Sequence, residues 1–412
     1  MPLVELAAIR AARVLLDGIA RTTPLEGLRG LSAQVGGPVL LKCENLQRTG
    51  SFKIRGAYVR IAKLSDSERA RGVVAASAGN HAQGVALAAS LLGCTSTVFM
   101  PEFAPLPKVA ATTAYGAVVR SAGHTVDEAL LAAQAFAAET GAVLIHPFDH
   151  ADVIAGQGTV GLEILEQRPD VRTIVVCTGG GGLVAGIAAA VKGLRPDVRV
   201  VAAQASGAAA FPASLRAGHP VALSAMSTMA DGIAVGCPGE LTFAHVRDLV
   251  DDVVIVDEEA LSRALLLCLE RAKLVVEPAG AAALAAVMDN PTGFDGPVVA
   301  VLSGGNIDPL LLSKVVRHGL VAAGRFLALR VAVPDRPGEL ARLLGVLAGT
   351  GANVLDVEHS RTGSGLHVDE VEVALQLETR GSWHGDEVIA GLAVAGYTTT
   401  PTLTPTPTPQ PR

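Results

Sequence analysis

Strand-like and helix-like segments alternate from about residue 37 to about residue 320, and this alternation restricts the possible folds more than any other feature. Strands that are separated by helices pair in parallel, and the helices then cover both faces of the sheet. The order therefore predicts an α/β fold with parallel sheets. The predicted strands are Val39–Cys43, Val73–Ala76, Ser96–Met100, Val118–Ser121, Ile174–Cys177, Val198–Ala203, Asp252–Val256 and Val298–Leu302. The predicted helices include Ala82–Leu92, Val126–Thr140, Val184–Lys192 and Glu258–Lys273.

The pattern changes near Gly324, where a smaller unit is predicted. Its elements follow the order βαββα, which is typical of a small α/β sandwich. The Thr/Pro-rich segment that starts at Thr398 is of low complexity and cannot build a core, so we expect it to be a disordered tail. The predicted elements of this unit are Phe326–Val333, Glu339–Gly349, Val354–His359, Asp369–Glu378 and Asp386–Ala395.

Composition and charge argue against several classes of function. The 412 residues carry a net charge of −6 and no Lys/Arg cluster, so we expect no nucleic-acid partner. The apolar run Ile174–Val191 is long enough to cross a membrane, but Gly179–Gly182 interrupts it, and we expect no membrane span. The first segment, Met1–Ala20, is interrupted by charged residues and reads as an amphipathic helix rather than a secretion signal.

The five cysteines are odd in number and widely scattered, and no CxxC or His/Cys pair suggests a zinc site. We therefore expect reduced thiols and a cytoplasmic location. The cysteines are Cys43, Cys94, Cys177, Cys237 and Cys268.

The strongest motif is the segment Lys42–Ala57, which contains Lys53. Lys53 follows a predicted loop and opens a helical segment, so that its amine can point inward beside Phe52. Removal of such an amine from water lowers its pKa, which suits Schiff-base chemistry. The alternative from the residues alone is an ordinary solvated lysine.

A second motif, Ser77–Gly84, follows the predicted strand Val73–Ala76. A turn of small residues that leads into a helix leaves backbone N–H groups free to bind an anion. The alternative is a plain strand-to-helix turn, and His81 is more often structural than a general base at such a position.

The third motif is the glycine run Thr178–Leu183, whose backbone can approach a phosphate closely. A dinucleotide site would need an acidic residue where the next strand ends, but that strand ends at Gln204. The fourth motif is Leu302–Asn306, in which Ser303 is either a ligand or the N-cap of a helix.

Taken together, these motifs resemble the serine/threonine dehydratase family of fold-type II pyridoxal-phosphate enzymes. They occur in the family's order across about residues 20–320, with Glu277–Gly280 near the end. The resemblance implies two three-layer subdomains with parallel sheets in residues 1–323, the smaller at about 51–144. It also implies pyridoxal 5'-phosphate as the cofactor, bound covalently by Lys53 and contacted by Phe52, Asn80, Gly179, Gly180, Gly181, Gly182, Leu183 and Ser303. The substrate carboxylate would lie on Ser77, Ala78, Gly79, Asn80 and His81.

The resemblance implies dehydration of L-threonine to 2-oxobutyrate and ammonia, and we expect dehydration of L-serine as a side activity. Serine racemases of the family place a serine at the position of Ala78, whose methyl group cannot donate a proton. Two alternatives stay open: a serine racemase or serine dehydratase, and a non-catalytic amino-acid sensor. Retention of Lys53, Asn80 and Ser303 argues against the sensor.

Residues 324–397 resemble an ACT regulatory domain of the order βαββαβ, on the segments Val333–Leu340 and Gly351–Val354. The resemblance implies an amino-acid effector, for which we expect a branched-chain amino acid such as isoleucine or valine. A role in oligomerisation alone is the alternative. The implied effector residues are Asp335, Pro337, Gly338, Glu339 and Asn353.

Family members usually form dimers or tetramers, so we expect a homo-oligomer. Some relatives bind a cation near a segment like Ala230–Gly232, but Asp-Gly is equally a turn, and the sequence assigns no metal ligand there.

Overall fold

The computed structural model describes residues 2–361 and 367–403. The chain divides into two compact units, one ending at Leu312 and the other beginning at Ser313. The strands are β1 (Leu25–Gly27), β2 (Val39–Cys43), β3 (Val73–Ala76), β4 (Ser96–Met100), β5 (Val118–Ser121), β6 (Val143–Leu144), β7 (Thr173–Cys177), β8 (Arg199–Ala205), β9 (Asp252–Val256), β10 (Val298–Leu302), β11 (Phe326–Pro334), β12 (Asn353–Ser360), β13 (Glu370–Glu378) and β14 (Thr399–Leu403).

The helices are α1 (Leu6–Leu15), α2 (Arg29–Val35), α3 (Lys53–Ala62), α4 (Asp66–Arg71), α5 (Asn80–Leu91), α6 (Leu106–Ala114), α7 (Val126–Thr140), α8 (Ala151–Gln167), α9 (Gly182–Leu194), α10 (Phe211–Ala217), α11 (Glu240–Leu249), α12 (Glu258–Leu267), α13 (Pro278–Asp289), α14 (Pro309–Ala322), α15 (Glu339–Thr350) and α16 (Ser382–Val394). Strands and helices alternate through the first unit, which confirms the predicted α/β fold.

The larger sheet of the first unit has the order β1-β2-β10-β7-β8-β9. β1 pairs antiparallel with β2, and the other neighbours pair in parallel. All residues of the central strands β7 and β10 are buried, as expected for a sheet that is covered on both faces. The chain segments that follow β7 and β10 therefore meet at one edge of this sheet.

The smaller sheet of the first unit has the order β5-β4-β3-β6, and its pairs are all parallel. It is formed by residues between Val73 and Leu144. Helix α5 follows the turn after β3, and most of its residues are buried, because its alanines and Gly84 let it pack closely. This arrangement places the turn Ser77–Gly79 at the carboxyl end of β3.

The second unit has a sheet of the order β12-β13-β11-β14, built from antiparallel pairs. Its core joins alternate residues of β11 and β13 to Leu343 and Leu347 of α15 and Val388 and Leu392 of α16. The predicted second helix begins earlier than expected, at Ser382, directly after Gly381.

The prediction of a structureless tail from Thr398 is wrong for Thr399–Leu403, which pairs with β11 as the edge strand β14. An edge strand tolerates Pro401, because its missing N–H need not serve a neighbouring strand. The rest of the predicted tail, residues 404–412, lies outside the described residues.

Two other expectations concern the first unit. The predicted helix Glu258–Lys273 is α-helical only to Leu267 and continues as a π-helical turn, Cys268–Ala272, which ends where Lys273 adopts a positive φ of 60°.

The apolar run Ile174–Val191 forms the end of β7 and most of α9, as the interpretation against a membrane span required. Among the described residues, we find no helix that is both long and apolar enough to cross a membrane.

Candidate active site

Lys53 is the first residue of α3, which confirms that it opens a helix. Its Nζ donates to the carbonyl oxygen of Pro147 at 3.0 Å and lies 5.1 Å from the centroid of the Phe52 ring. Within the described residues, no carboxylate forms an ion pair with this amine. A carbonyl and an aromatic ring hold the amine without neutralising its charge.

Burial lowers the pKa of Lys53 to about 8, and the charge of Glu277 opposes this shift. Glu277 is itself a buried carboxyl that precedes α13. Burial and the charge of Asp231 raise the pKa of Glu277 to about 7. Both groups therefore change protonation near neutral pH, which is unusual for lysine and glutamate.

The glycine run connects β7 to α9 at the carboxyl edge of the larger sheet. The backbone N–H groups of Gly179, Gly180, Gly181, Gly182 and Leu183 donate to no acceptor in the part of the chain that the structure describes. These groups precede or begin a helix of 13 residues. The loop could hold an anion, because free N–H groups and the helix dipole act in the same direction.

Two features explain why this loop needs glycine. Gly181 has a φ of 94°, which side chains with a Cβ rarely adopt. A Cβ on Gly180 would lie 2.5 Å from the ring of Phe148. Thr242 supports the same loop, since its Oγ1 donates to the carbonyl of Gly180 at 2.7 Å.

The turn Ser77–Gly79 leads into α5, whose first residue is Asn80. The N–H groups of Ala78, Asn80 and His81 have no acceptor among residues 2–361 and 367–403. The ring of His81 is buried, and its Nε2 lies 2.8 Å from the carbonyl oxygen of Ile145. Burial, reinforced by the charge of Lys53, lowers the pKa of His81 to about 3, so this histidine is neutral and structural.

Ser303 follows β10 and lies beside the segment that carries Lys53. Its carbonyl accepts the N–H of Phe52 at 3.2 Å, and Ser51 pairs with Gly304 in an isolated β-bridge. The Ser303 hydroxyl contacts the thiol of Cys177, the last residue of β7. The structure thus brings the first and fourth motifs into direct contact.

Asp231 of the segment Ala230–Gly232 forms an ion pair with Lys108 at 2.7 Å. No group of three or more His, Cys, Asp or Glu side chains suitable for a metal ion occurs within the described residues. Asp231 is instead part of a contact between the segment after β8 and helix α6.

In the second unit, Asp335, Pro337, Gly338 and Glu339 lie together where β11 ends and α15 begins. Asp335 forms an ion pair with Arg361, and this contact lowers the pKa of the Asp335 carboxyl. Asn353 begins β12 and pairs with Glu378, at the opposite end of the sheet. The structure therefore separates Asn353 from the other four predicted effector residues within one copy of the chain.

Sequence reasoning missed several residues that shape the site. Pro147 and Phe148 belong to the segment His146–His150, where a Pro beside two His and an aromatic residue was the available signal. Thr242 gave no signal, because it lies within an ordinary helix. Glu277 and Asn306 belong to motifs that were recognised, but their contacts with Asn80 were not expected.

Comparisons with known proteins agree with this geometry. The family model for "Pyridoxal-phosphate dependent enzyme" matches residues 16–304, and the ACT domain model matches residues 328–378. The L-threonine ammonia-lyase of Thermotoga maritima is 46% identical over 395 residues, covering 96% of this chain and 98% of the relative. The L-threonine ammonia-lyase of Geobacter sulfurreducens is 50% identical over 378 residues, covering 92% and 94%.

Solved structures give the same fold for the first unit. The maize serine racemase superposes with a TM-score of 0.73 at 38% identity, covering 76% of this chain and 97% of that one. The processed threonine deaminase isoform 2 from Solanum lycopersicum superposes with a TM-score of 0.73 at 39% identity, covering 76% and 86%.

The residues present fit pyridoxal phosphate. The five free N–H groups of Gly179–Leu183 match the needs of a phosphate, and Lys53 offers an amine that has no ion-pair partner in the described chain. Asn80 and Ser303 add an amide and a hydroxyl nearby, with Ser303 joined to Phe52 through its backbone.

Proposed function

The chain belongs to the family of pyridoxal-phosphate-dependent enzymes, and from this we propose that it is an L-threonine ammonia-lyase that releases 2-oxobutyrate and ammonia. The relatives that bear this name match the chain over nearly its full length. The observation that carries the proposal is the amine of Lys53, which has no ion-pair partner among the described residues and whose pKa burial lowers to about 8.

When bound, the cofactor supplies the electron sink for cleavage of the bond between Cα and its hydrogen, and the protein supplies orientation and proton transfer. Gly179–Leu183 hold the phosphate through their free N–H groups. Lys53 would hold the cofactor covalently, and its Nζ would take the Cα proton of the substrate. A pKa near 8 lets this amine accept a proton at neutral pH and give it up again.

The turn Ser77–Gly79 and the start of α5 hold the substrate carboxylate, since the N–H groups of Ala78, Asn80 and His81 are free for it in the described chain. His81 contributes its backbone rather than its ring, which bonds Ile145. The β-hydroxyl of the substrate would then leave as water, with the proton that Lys53 Nζ took from Cα. The released aminocrotonate tautomerises and takes up one water on hydrolysis, so the net products are 2-oxobutyrate and ammonia.

L-Serine is a second substrate in this proposal, because it differs from threonine by one methyl group and pockets discriminate that difference weakly. Racemisation of serine is the competing activity, favoured by the similarity to the maize serine racemase. Racemisation needs a proton donor on the second face of the substrate, and Ala78 offers only a methyl group there. We expect ammonia release to exceed D-serine formation, and chiral analysis of the products measures this ratio.

The ACT domain binds an amino-acid effector in this proposal, and we expect isoleucine or valine because 2-oxobutyrate is a precursor of isoleucine. Isothermal titration of the full chain with each amino acid tests this. Coupling must be reciprocal, so an inhibitor that weakens threonine binding is itself bound more weakly when threonine is present. We also propose a homodimer or homotetramer in the cytoplasm, and light scattering measures the assembly.

The decisive experiment measures 2-oxobutyrate release from L-threonine by the wild type and by Lys53→Ala. Lys63→Ala is the matched control, because this exposed lysine directly follows the same helix. We expect turnover to vanish in Lys53→Ala and to persist in Lys63→Ala. Bound cofactor without turnover of threonine or serine in the wild type would contradict the proposal.

A further inference from the structure

The side-chain amide of Asn80 is held at both ends. Its Oδ1 accepts an N–H of Asn306 at 2.7 Å, and its Nδ2 donates to Oε1 of Glu277. These partners lie 226 and 197 residues away along the chain. Three motifs that are separate in the sequence thus meet at one amide.

The orientation of this amide follows from its partners. Nδ2 of Asn306 also donates to the backbone carbonyl of Thr49 at 2.6 Å, and a carbonyl oxygen can only accept. Asn306 therefore presents N–H groups, and Asn80 must turn its own oxygen toward Asn306. The Nδ2 group of Asn80 must then face Glu277, whose carboxylate accepts.

Asn80 Nδ2 carries a second hydrogen that the bond to Glu277 does not use. It has no acceptor in the part of the chain that is described, although Asn80 lies beside the free N–H groups of the turn before α5. An amide N–H in this position is a donor for an oxygen atom of whatever binds beside Lys53.

Glu277 has little room to move. A Cβ on Gly304 would lie 2.1 Å from its Oε1 and 3.0 Å from Nδ2 of Asn80. The charged groups that act on it are Asp231 after β8, Lys108 of α6 and Lys53 of α3. Burial and Asp231 raise the pKa of Glu277, whereas the Asn80 bond, Lys108 and Lys53 lower it, and the result is about 7.

We infer that Glu277 and Asn306 are positioning residues which fix the amide of Asn80, so that its second N–H is held for an oxygen of the bound cofactor. The inference rests on the proposed function, since it requires a cofactor beside Lys53. The carboxylate of Glu277 makes the stronger, charge-assisted bond to Asn80, and protonation weakens it. Glu277→Gln is a permanently neutral mimic of the protonated residue.

The test is the visible absorption spectrum of the bound cofactor, recorded without substrate across pH. We expect the wild-type spectrum to change as Glu277 titrates, at a pH above the usual range of a glutamate, because burial and Asp231 raise its pKa. The spectrum of Glu277→Gln should not change in this range and should match the wild type at low pH. Its affinity for the cofactor should fall about tenfold, the effect of one charge-assisted hydrogen bond.

Two further variants separate positioning from other effects. Glu139→Gln removes an exposed carboxyl of α7 and should leave the spectrum and its pH dependence unchanged. In an Asn80→Ala background, Glu277→Gln should change nothing further, because Glu277 acts through Asn80. A full effect of Glu277→Gln in that background would overturn the inference, as would a Glu277→Gln spectrum that changes with pH as the wild-type spectrum does.

The outcomes also separate this inference from the proposed function. A wild type that binds no cofactor contradicts both. A wild type that binds the cofactor and converts threonine, but whose spectrum is insensitive to Glu277→Gln, contradicts the inference alone.

Discussion

Arg55 and Glu44 form a fully buried, bidentate ion pair. Nε of Arg55 donates to Oε2 of Glu44 at 2.8 Å, and Nη2 donates to Oε1 at 2.8 Å. Nη1 of Arg55 donates to Glu163 of α8 at 2.6 Å, and Lys42 donates to the same carboxylate at 2.6 Å. Arg55 lies two residues after Lys53. The start of α3 is therefore held to β2 and α8 by four buried charges that balance one another.

Removal of Arg55 should destabilise the protein strongly. Arg55→Met leaves two buried carboxylates with Lys42 as their only cation in this cluster, and we expect the free energy of unfolding to fall by about 3–5 kcal/mol. Chemical denaturation measures the change. Arg13→Met is the control, because Arg13 forms an exposed ion pair with Glu166, which lies in α8 like Glu163. An exposed pair contributes about 0–1 kcal/mol, and equal losses in the two variants would contradict the argument.

The rate of cofactor association should depend on the protonation of Lys53. Only the neutral amine attacks an aldehyde, and burial lowers the pKa of Lys53 to about 8. We expect the rate for the cofactor-free protein to rise with pH and to level off above pH 8, as stopped-flow absorbance records. A rate that still rises at pH 10 would indicate an ordinary lysine.

The contact between α8 and α9 should not tolerate a methyl group. A Cβ on Gly186 would lie 2.3 Å from the backbone oxygen of Ile154 and 2.5 Å from the backbone nitrogen of Gly158. We expect Gly186→Ala to lower the free energy of unfolding by about 1–3 kcal/mol or more. Gly30→Ala is the control, since Gly30 lies in α2 with no atom within 4 Å of an added Cβ. It should stabilise the protein by about 0.5–1 kcal/mol, so a loss in both variants would contradict the prediction.

We expect Cys237 to react with a thiol reagent faster than the other four cysteines. It is the exposed cysteine, whereas Cys43, Cys94, Cys177 and Cys268 are buried. Burial raises the pKa of Cys43 and Cys268 to about 12, which suppresses their thiolates further. We expect one fast equivalent with a thiol reagent in the native protein and none in Cys237→Ser. Fast reaction of two or more thiols in the native protein would be the contrary result.

Much of the fold was predictable from the sequence, because the relevant signals are local. Apolar runs such as Val298–Leu302 and Val73–Ala76 mark buried strands, and their bounds agree with β10 and β3. Predictions failed where neighbours decide the outcome. Thr399–Leu403 has the composition of a tail, yet it becomes a strand because β11 offers an open edge.

The sequence by itself determined the order of the elements, the four motifs and their positions after strands, since periodicity and turn residues act within a few residues. Tertiary structure alone decided which side chains meet and how they ionise. The carbonyl of Pro147 reaches Lys53 across 94 residues, and Glu277 reaches Asn80 across 197. Such contacts, and the burial that moves the pKa of Lys53 and Glu277 toward neutrality, arise only when distant segments pack together and exclude water.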